Sequence, residues 1–109
     1  MPFYIKTEKF TDQTNKLSIK ERKVFLLMHK KWVECLIEAG EFIVSGYLTN
    51  EKKIPGGGGV LILEANDYLE AKNIILNDPM IENKLVIWEL HEWNPIIENL
   101  KKKLINHLG

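Results

Sequence analysis

Residues 36–67, LIEAGEFIVSGYLTNEKKIPGGGGVLILEAND, hold the pivot of the fold. Gly40 closes a long run without Gly or Pro and fits the residue that ends a helix in left-handed backbone. Residues 41–48, EFIVSGYL, then read as a strand, and residues 60–65, VLILEA, as a second. The charged, Gly-rich stretch 49–59 between them makes the pair a hairpin with a long loop. Asn66 or Asp67 supplies an N-cap for the next helix. Helix, hairpin and helix in this order are the centre of a βαββαβ chain.

Working outward, Ser18 and Glu21 have the spacing of a capping box, which predicts a helix from there to Ala39. Its apolar stripe is Phe25, Met28, Trp32, Cys35 and Ala39, with Lys23, Lys30, Lys31 and Glu34 outside it. Residues 11–17 are polar and aperiodic and read as a loop. Residues 3–10, FYIKTEKF, begin with alternation, placing Phe3, Ile5 and Thr7 on one face and Tyr4, Lys6 and Glu8 on the other. Downstream, a second helix runs to about Asn77, with Leu69 and Ile74 to Leu76 available for packing. The Asp78-Pro79 step ends it, because a residue before proline is pushed out of the α region. Residues 85–93, LVIWELHEW, are the fourth strand. Asn94 and Pro95 then read as N-cap and first residue of a C-terminal helix with the stripe Ile97, Leu100, Leu104 and Leu108.

Two right-handed βαβ units in one sheet give the strand order 4-1-3-2 and place both helices on one face. The opposite face is left bare. Val60 to Leu63 and Leu85 to Trp88 are apolar at consecutive positions, so both faces of these strands avoid water. Each large aliphatic side chain left exposed forfeits roughly 1.5 to 3 kcal/mol relative to burial. A homodimer joined through its sheet faces removes that loss, and the structural alternative is a C-terminal helix folded back over its own sheet.

At 109 residues, 45% of them hydrophobic, the chain has the size and apolar content of one α+β domain. Fifteen basic residues balance fifteen acidic ones, so no overall field draws it to nucleic acid or to an anionic membrane. The cluster Lys101 to Lys103 reads as a solvated helix face. No apolar run approaches the roughly 20 residues that span a bilayer. The single cysteine, Cys35, makes no internal disulfide and reads as buried and inert. With no basic segment followed by an apolar one at the start, the expected setting is the cytoplasm.

Chemistry has few carriers here. His29 lies at the edge of the buried stripe in mid-helix, where it is either a satisfied core histidine or a general base that titrates near neutrality. Asp78 follows the second helix, where its charge meets the negative end of the helix dipole and invites a cationic or donating partner. Antiparallel helices would bring the end of the second beside the middle of the first, and so Asp78 towards His29. Ser45 is a lone hydroxyl in an apolar strand beside Gly46, where backbone allows a close ligand approach. No G-x-S-x-G surrounds it, and no nucleophile is assigned. Gly56 to Gly59 enter a strand without a following Gly-Lys-Ser/Thr, which makes a hairpin tip or pocket lid and not a phosphate loop. His91-Glu92 fails as a zinc motif because Pro95 stands where the second histidine would be. His107 reads as solvated. No metal and no cofactor is expected.

The pattern resembles the YciI-like, or YCII-related, family of the dimeric α+β barrel, ferredoxin-like group. The matching residues are His29, LIEAGEFIVSGYL at 36–48, GGGGVLILEAND at 56–67 and NDPM at 77–80. The resemblance covers about residues 3–93 and makes 94–109 an addition to a core domain of residues 1–93. It implies a homodimer with sheets face to face, and a site in which His29 pairs with Asp78. Met80 replaces the usual phenylalanine of an Asp-Pro-Phe step, and Ser45-Gly46-Tyr47 departs from the usual Ala-Gly-Pro. Ser45, Trp32 and Met80 are then the substrate-binding candidates. A ring-dehydrochlorinating relative points to lyase or isomerase chemistry. Three readings stay open: a small cofactor-independent enzyme using His29 and Asp78, a small-ligand-binding module without turnover, and a structural pair that only joins two helices.

Overall fold

The structure, a computed structural model, describes residues 1–96. In chain order it contains β1 (Phe3–Phe10), α1 (Asp12–Lys16), α2 (Ile19–Glu38), β2 (Ile43–Thr49), β3 (Pro55–Glu64), α3 (Tyr68–Ile75), α4 (Pro79–Glu82) and β4 (Val86–Trp93). The strands form one antiparallel sheet in the order β2-β3-β1-β4, as the two βαβ units require. This is a ferredoxin-like α+β fold with its helices packed on one face. No helix among the described residues is long and apolar enough to cross a membrane.

Helix α2 starts at the expected capping box. Ser18 Oγ accepts the Glu21 N–H at 3.1 Å, and Glu21 Oε1 accepts the Ser18 N–H at 3.2 Å. Its sheet-facing side differs from the expected stripe. Phe25, His29, Trp32, Val33 and Leu36 are half-buried, whereas Met28 is 44% exposed and Cys35 and Ala39 are open to solvent. The helix is rotated so that His29 lies in the middle of the inward face. A histidine can be placed there only because polar partners wait below it.

In β1, the face that carries Lys6 and Glu8 is the one under the helices. Tyr4 joins Ile43, Leu61, Leu63, Ala65, Ala71, Ile75 and Leu90 in the core, and Lys6, two residues on, is fully buried. Side chains alternate along a strand, so Ile5 faces away, in one rung with Val44, Ile62 and His91. Ile5, Val44, Val60 and Ile62 are half-buried, while Ile87 on the same face is 57% exposed. The bare apolar face that the sequence demands is present in the single chain.

Other expectations are corrected. Residues 11–17 are not all loop: Thr11 caps the short helix α1, and the buried Thr14 donates its hydroxyl to the Leu85 carbonyl at 2.7 Å. The glycine run lies inside β3 rather than at a hairpin tip, and the connecting loop shrinks to residues 50–54. At its inner end the run is held by pairing, Gly59 to Glu8 and to Tyr47, and Gly58 to Lys9. Asp67 is the cap of α3, whose inward residues are Ala71 and Ile75, with Leu69 left 65% exposed. Asn94 to Ile96 are irregular. The rest of the expected C-terminal helix, with Lys101 to Lys103 and His107, lies outside the described residues.

Gly57 has φ +79°, and a β-carbon there would come within 3.1 Å of the Phe10 ring. Gly56 has open space at that position. Gly57→Ala should therefore lower stability by about 1 kcal/mol or more, while Gly56→Ala changes it far less. Urea unfolding of both variants checks the difference.

Candidate functional site

Three elements and one connection contribute to a continuous polar chain. His29 descends from α2, Ser45 rises from β2, Lys6 rises from β1, and Asp78 stands between α3 and α4. Asp78 Oδ1 is 2.8 Å from His29 Nδ1, and His29 Nε2 is 2.8 Å from Ser45 Oγ. On the other side, Lys6 Nζ donates to Asp78 Oδ2 at 2.9 Å and lies 2.6 Å from Glu8 Oε1. Lys6 and Asp78 are fully buried, and the His29 side chain is 16% exposed.

The Asp-Pro step explains how Asp78 is held. Pro79 takes the first position of α4, and Asp78 is its N-cap, with Oδ1 accepting the Met80 N–H at 2.9 Å. The expected unfavourable place at the end of α3 is thus the favourable start of another helix. Burial alone would raise the pKa of Asp78. The hydrogen bond from His29 and the positive charge of Lys6 outweigh it and hold the carboxyl below the usual carboxylate range.

An ionised Asp78 accepts only, so a neutral His29 places its proton on Nδ1 and leaves Nε2 to accept the Ser45 hydroxyl. Two carboxylates and one ammonium leave Lys6, Glu8 and Asp78 with one net negative charge. An imidazolium at His29 would cancel it. The arrangement can therefore take a proton at Nε2 and hold the cation that results.

Nε2 and Ser45 open on a cleft of about 630 Å³. Its walls include Phe10, Ile19, Leu26, Val33 and Met80, with Arg22 and Lys23 contributing positive charge. The glycines Gly57, Gly58 and Gly59 line it as well, so this run bounds the cavity where a lid was expected. His29, Asp78 and Ser45 are brought together, and Met80 both lines the cleft and donates to Asp78. Trp32 instead packs on the core with its ring 5.8 Å from that of His29, away from the cleft lining. Among the described residues, no three His, Cys, Asp or Glu side chains converge as metal ligands.

The fold is shared with a known enzyme. The chain is similar to the 5-chloro-2-hydroxyhydroquinone dehydrochlorinase of Burkholderia phenoliruptrix AC1100, solved in complex with 2,5-dihydroxybenzoquinone. The two share 20% identity with a TM-score of 0.62, over 84% of this chain and 93% of that one. At this identity the likeness establishes a shared ferredoxin-like α+β fold, and no activity. No family model and no curated protein matches the sequence.

Sequence reading missed Lys6 and Glu8. The signal was there: two charged residues at i and i+2 on one face of β1, a strand with neighbours on both sides in the 4-1-3-2 order. A central strand roofed by helices buries whatever that face carries, and a buried ammonium requires an anion.

The depressed pKa of Asp78 ties stability to pH. The unfolded chain takes up this proton at the ordinary carboxylate value of about 4, and the folded chain only at a lower pH. The stabilisation is full above the ordinary value and is lost as pH falls towards the folded one. Asp78→Asn should be less stable than the wild type at pH 7 and decline less steeply between about pH 5 and pH 2. Denaturant melts across that range check the slope.

Proposed function

We propose that this chain is a YciI-like enzyme that acts without a cofactor on a small cyclic or carbonyl substrate, by proton transfer in a lyase- or isomerase-type reaction. One observation carries the reading: Asp78, His29 and Ser45 form an unbroken hydrogen-bonded series ending at an apolar cleft. In this mechanism Asp78 fixes the Nδ1–H tautomer, and Nε2 removes a proton from a ring hydroxyl or an activated C–H. The negative cluster beneath stabilises the imidazolium, and the proton returns to the product or to solvent. Ser45 yields its place at Nε2 or hydrogen-bonds the substrate beside it. The structural neighbour is named for elimination of chloride from a hydroxylated ring, which fits a cleft of this size and apolar lining. A single cysteine accords with action in the reducing cytoplasm.

The test is chloride release from 5-chloro-2-hydroxyhydroquinone and related hydroxylated rings. His29→Asn should lower kcat by about 10²- to 10⁴-fold with the fold intact by circular dichroism. Equal turnover by the variant and the wild type would end the acid–base role. A binding module without turnover is the competing reading, supported by the fact that Nε2 is already engaged by Ser45. It predicts ligand binding by the wild type with no turnover to lose.

The second part of the proposal is a homodimer joined through the sheet faces, formed by the core of residues 1–93 with 94–109 as an addition to it. Its support is the apolar rung of Val44, Ile62 and Ile5 with Ile87 beside it, on the face away from the helices. Light scattering at micromolar concentration should give twice the 12.7 kDa of one chain, and Ile62→Glu should halve that mass. A wild-type monomer would overturn the pairing.

A further inference from the structure

The geometry points to Glu8 as a second substrate-reading group in the cleft, a carboxylate that receives a hydrogen-bond donor of the ligand. The inference rests on the acid–base reading above and names the molecule more closely. It is a small ring or carbonyl compound with a further hydroxyl or amine donor, apart from the proton that His29 removes.

Lys6 holds Glu8 in this role. Its ammonium is fully buried, 2.9 Å from Asp78 Oδ2 and 2.6 Å from Glu8 Oε1, so the two carboxylates share one counter-charge. Asp78 alone would balance Lys6. The second carboxylate makes the cluster negative, and unlike Asp78 it reaches solvent: its side chain is 13% exposed and lines the cleft. Among the described residues Oε2 has no hydrogen-bond partner. An ionised carboxylate only accepts, so whatever binds against Oε2 must donate.

The glycine run makes the space. A β-carbon at Gly59 would lie 3.1 Å from the Gly46 carbonyl oxygen, with Glu8 Cγ and Cδ at 3.5 and 3.7 Å. A side chain there would press on β2 and fill the room beside the Glu8 carboxylate. Gly59 thus leaves Glu8 open to the same cavity as His29, Ser45 and Met80. A ligand lying among the apolar walls meets a base from α2 and an anionic acceptor from β1.

The probes are 1,2,4-trihydroxybenzene, kept anaerobic, and 4-methoxyphenol, a ring with one donor. Calorimetry on the wild type should show the trihydroxy ring bound about tenfold more tightly or better, the range of a hydrogen bond to a charged group. Glu8→Gln should remove most of that preference and leave 4-methoxyphenol binding unchanged. Glu8→Asp keeps the charge but draws the carboxylate back by one methylene. It should lose the preference too, and it serves if the glutamine variant fails to fold. A preference that survives in a folded Glu8 variant overturns the inference, and so does a wild type that binds neither probe or both equally. Loss of turnover in His29→Asn is read separately, so the acid–base role can stand while the Glu8 role falls.

Discussion

Beneath the long helix, a lysine ammonium and an aspartate carboxylate meet 2.9 Å apart with no solvent at either group. Burying charge is costly unless it is paired and further hydrogen-bonded, and here both conditions are met by neighbours from other elements. Asp78 receives the Met80 N–H and faces His29, while Lys6 also meets Glu8. Each partner satisfied in this way is fixed in direction. The orientation of the imidazole follows from that of the carboxylate, and the carboxylate from the lysine below it.

The packing serves this arrangement. Helix α2 has no fully buried residue; its inward face is half-covered and turned so that His29 lies over Asp78 and Ser45. Fully buried apolar residues lie on α3 instead, where Ala71 and Ile75 join Leu61 and Leu63 in the core. The incomplete cover of α2 leaves room for a cavity between α2, β2 and the glycine segment of β3. A site that must admit a ligand is found where packing is least complete.

Strand order, the capping box at Ser18 and the bare apolar face were legible in the sequence, because alternation, cap spacing and consecutive apolar residues each reflect local rules. The meeting of His29 with Asp78 was legible through topology and family resemblance together. Three things were not. The rotation of α2 depends on polar contacts below it, which apolar periodicity ignores, so periodicity points Met28, Cys35 and Ala39 inward, puts His29 only at the edge of the stripe and leaves out Val33 and Leu36. Gly56 to Gly59 look like loop in a propensity reading, but pairing of Gly58 and Gly59 with β1, and of Gly59 with β2, draws the run into β3 against propensity. Lys6 reads as the solvated half of an alternating strand until the sheet position of β1 is taken into account.

One atom links local chain geometry to reactivity. Asp78 Oδ1 closes the first turn of α4 and also accepts the hydrogen bond of the His29 Nδ1–H. Fraying of that four-residue turn would let the carboxylate swing, and the imidazole would lose its orientation with it. Folding of this one-turn helix and readiness of the proton acceptor are thus one event. A segment of four residues can set how much of the population is competent at any moment.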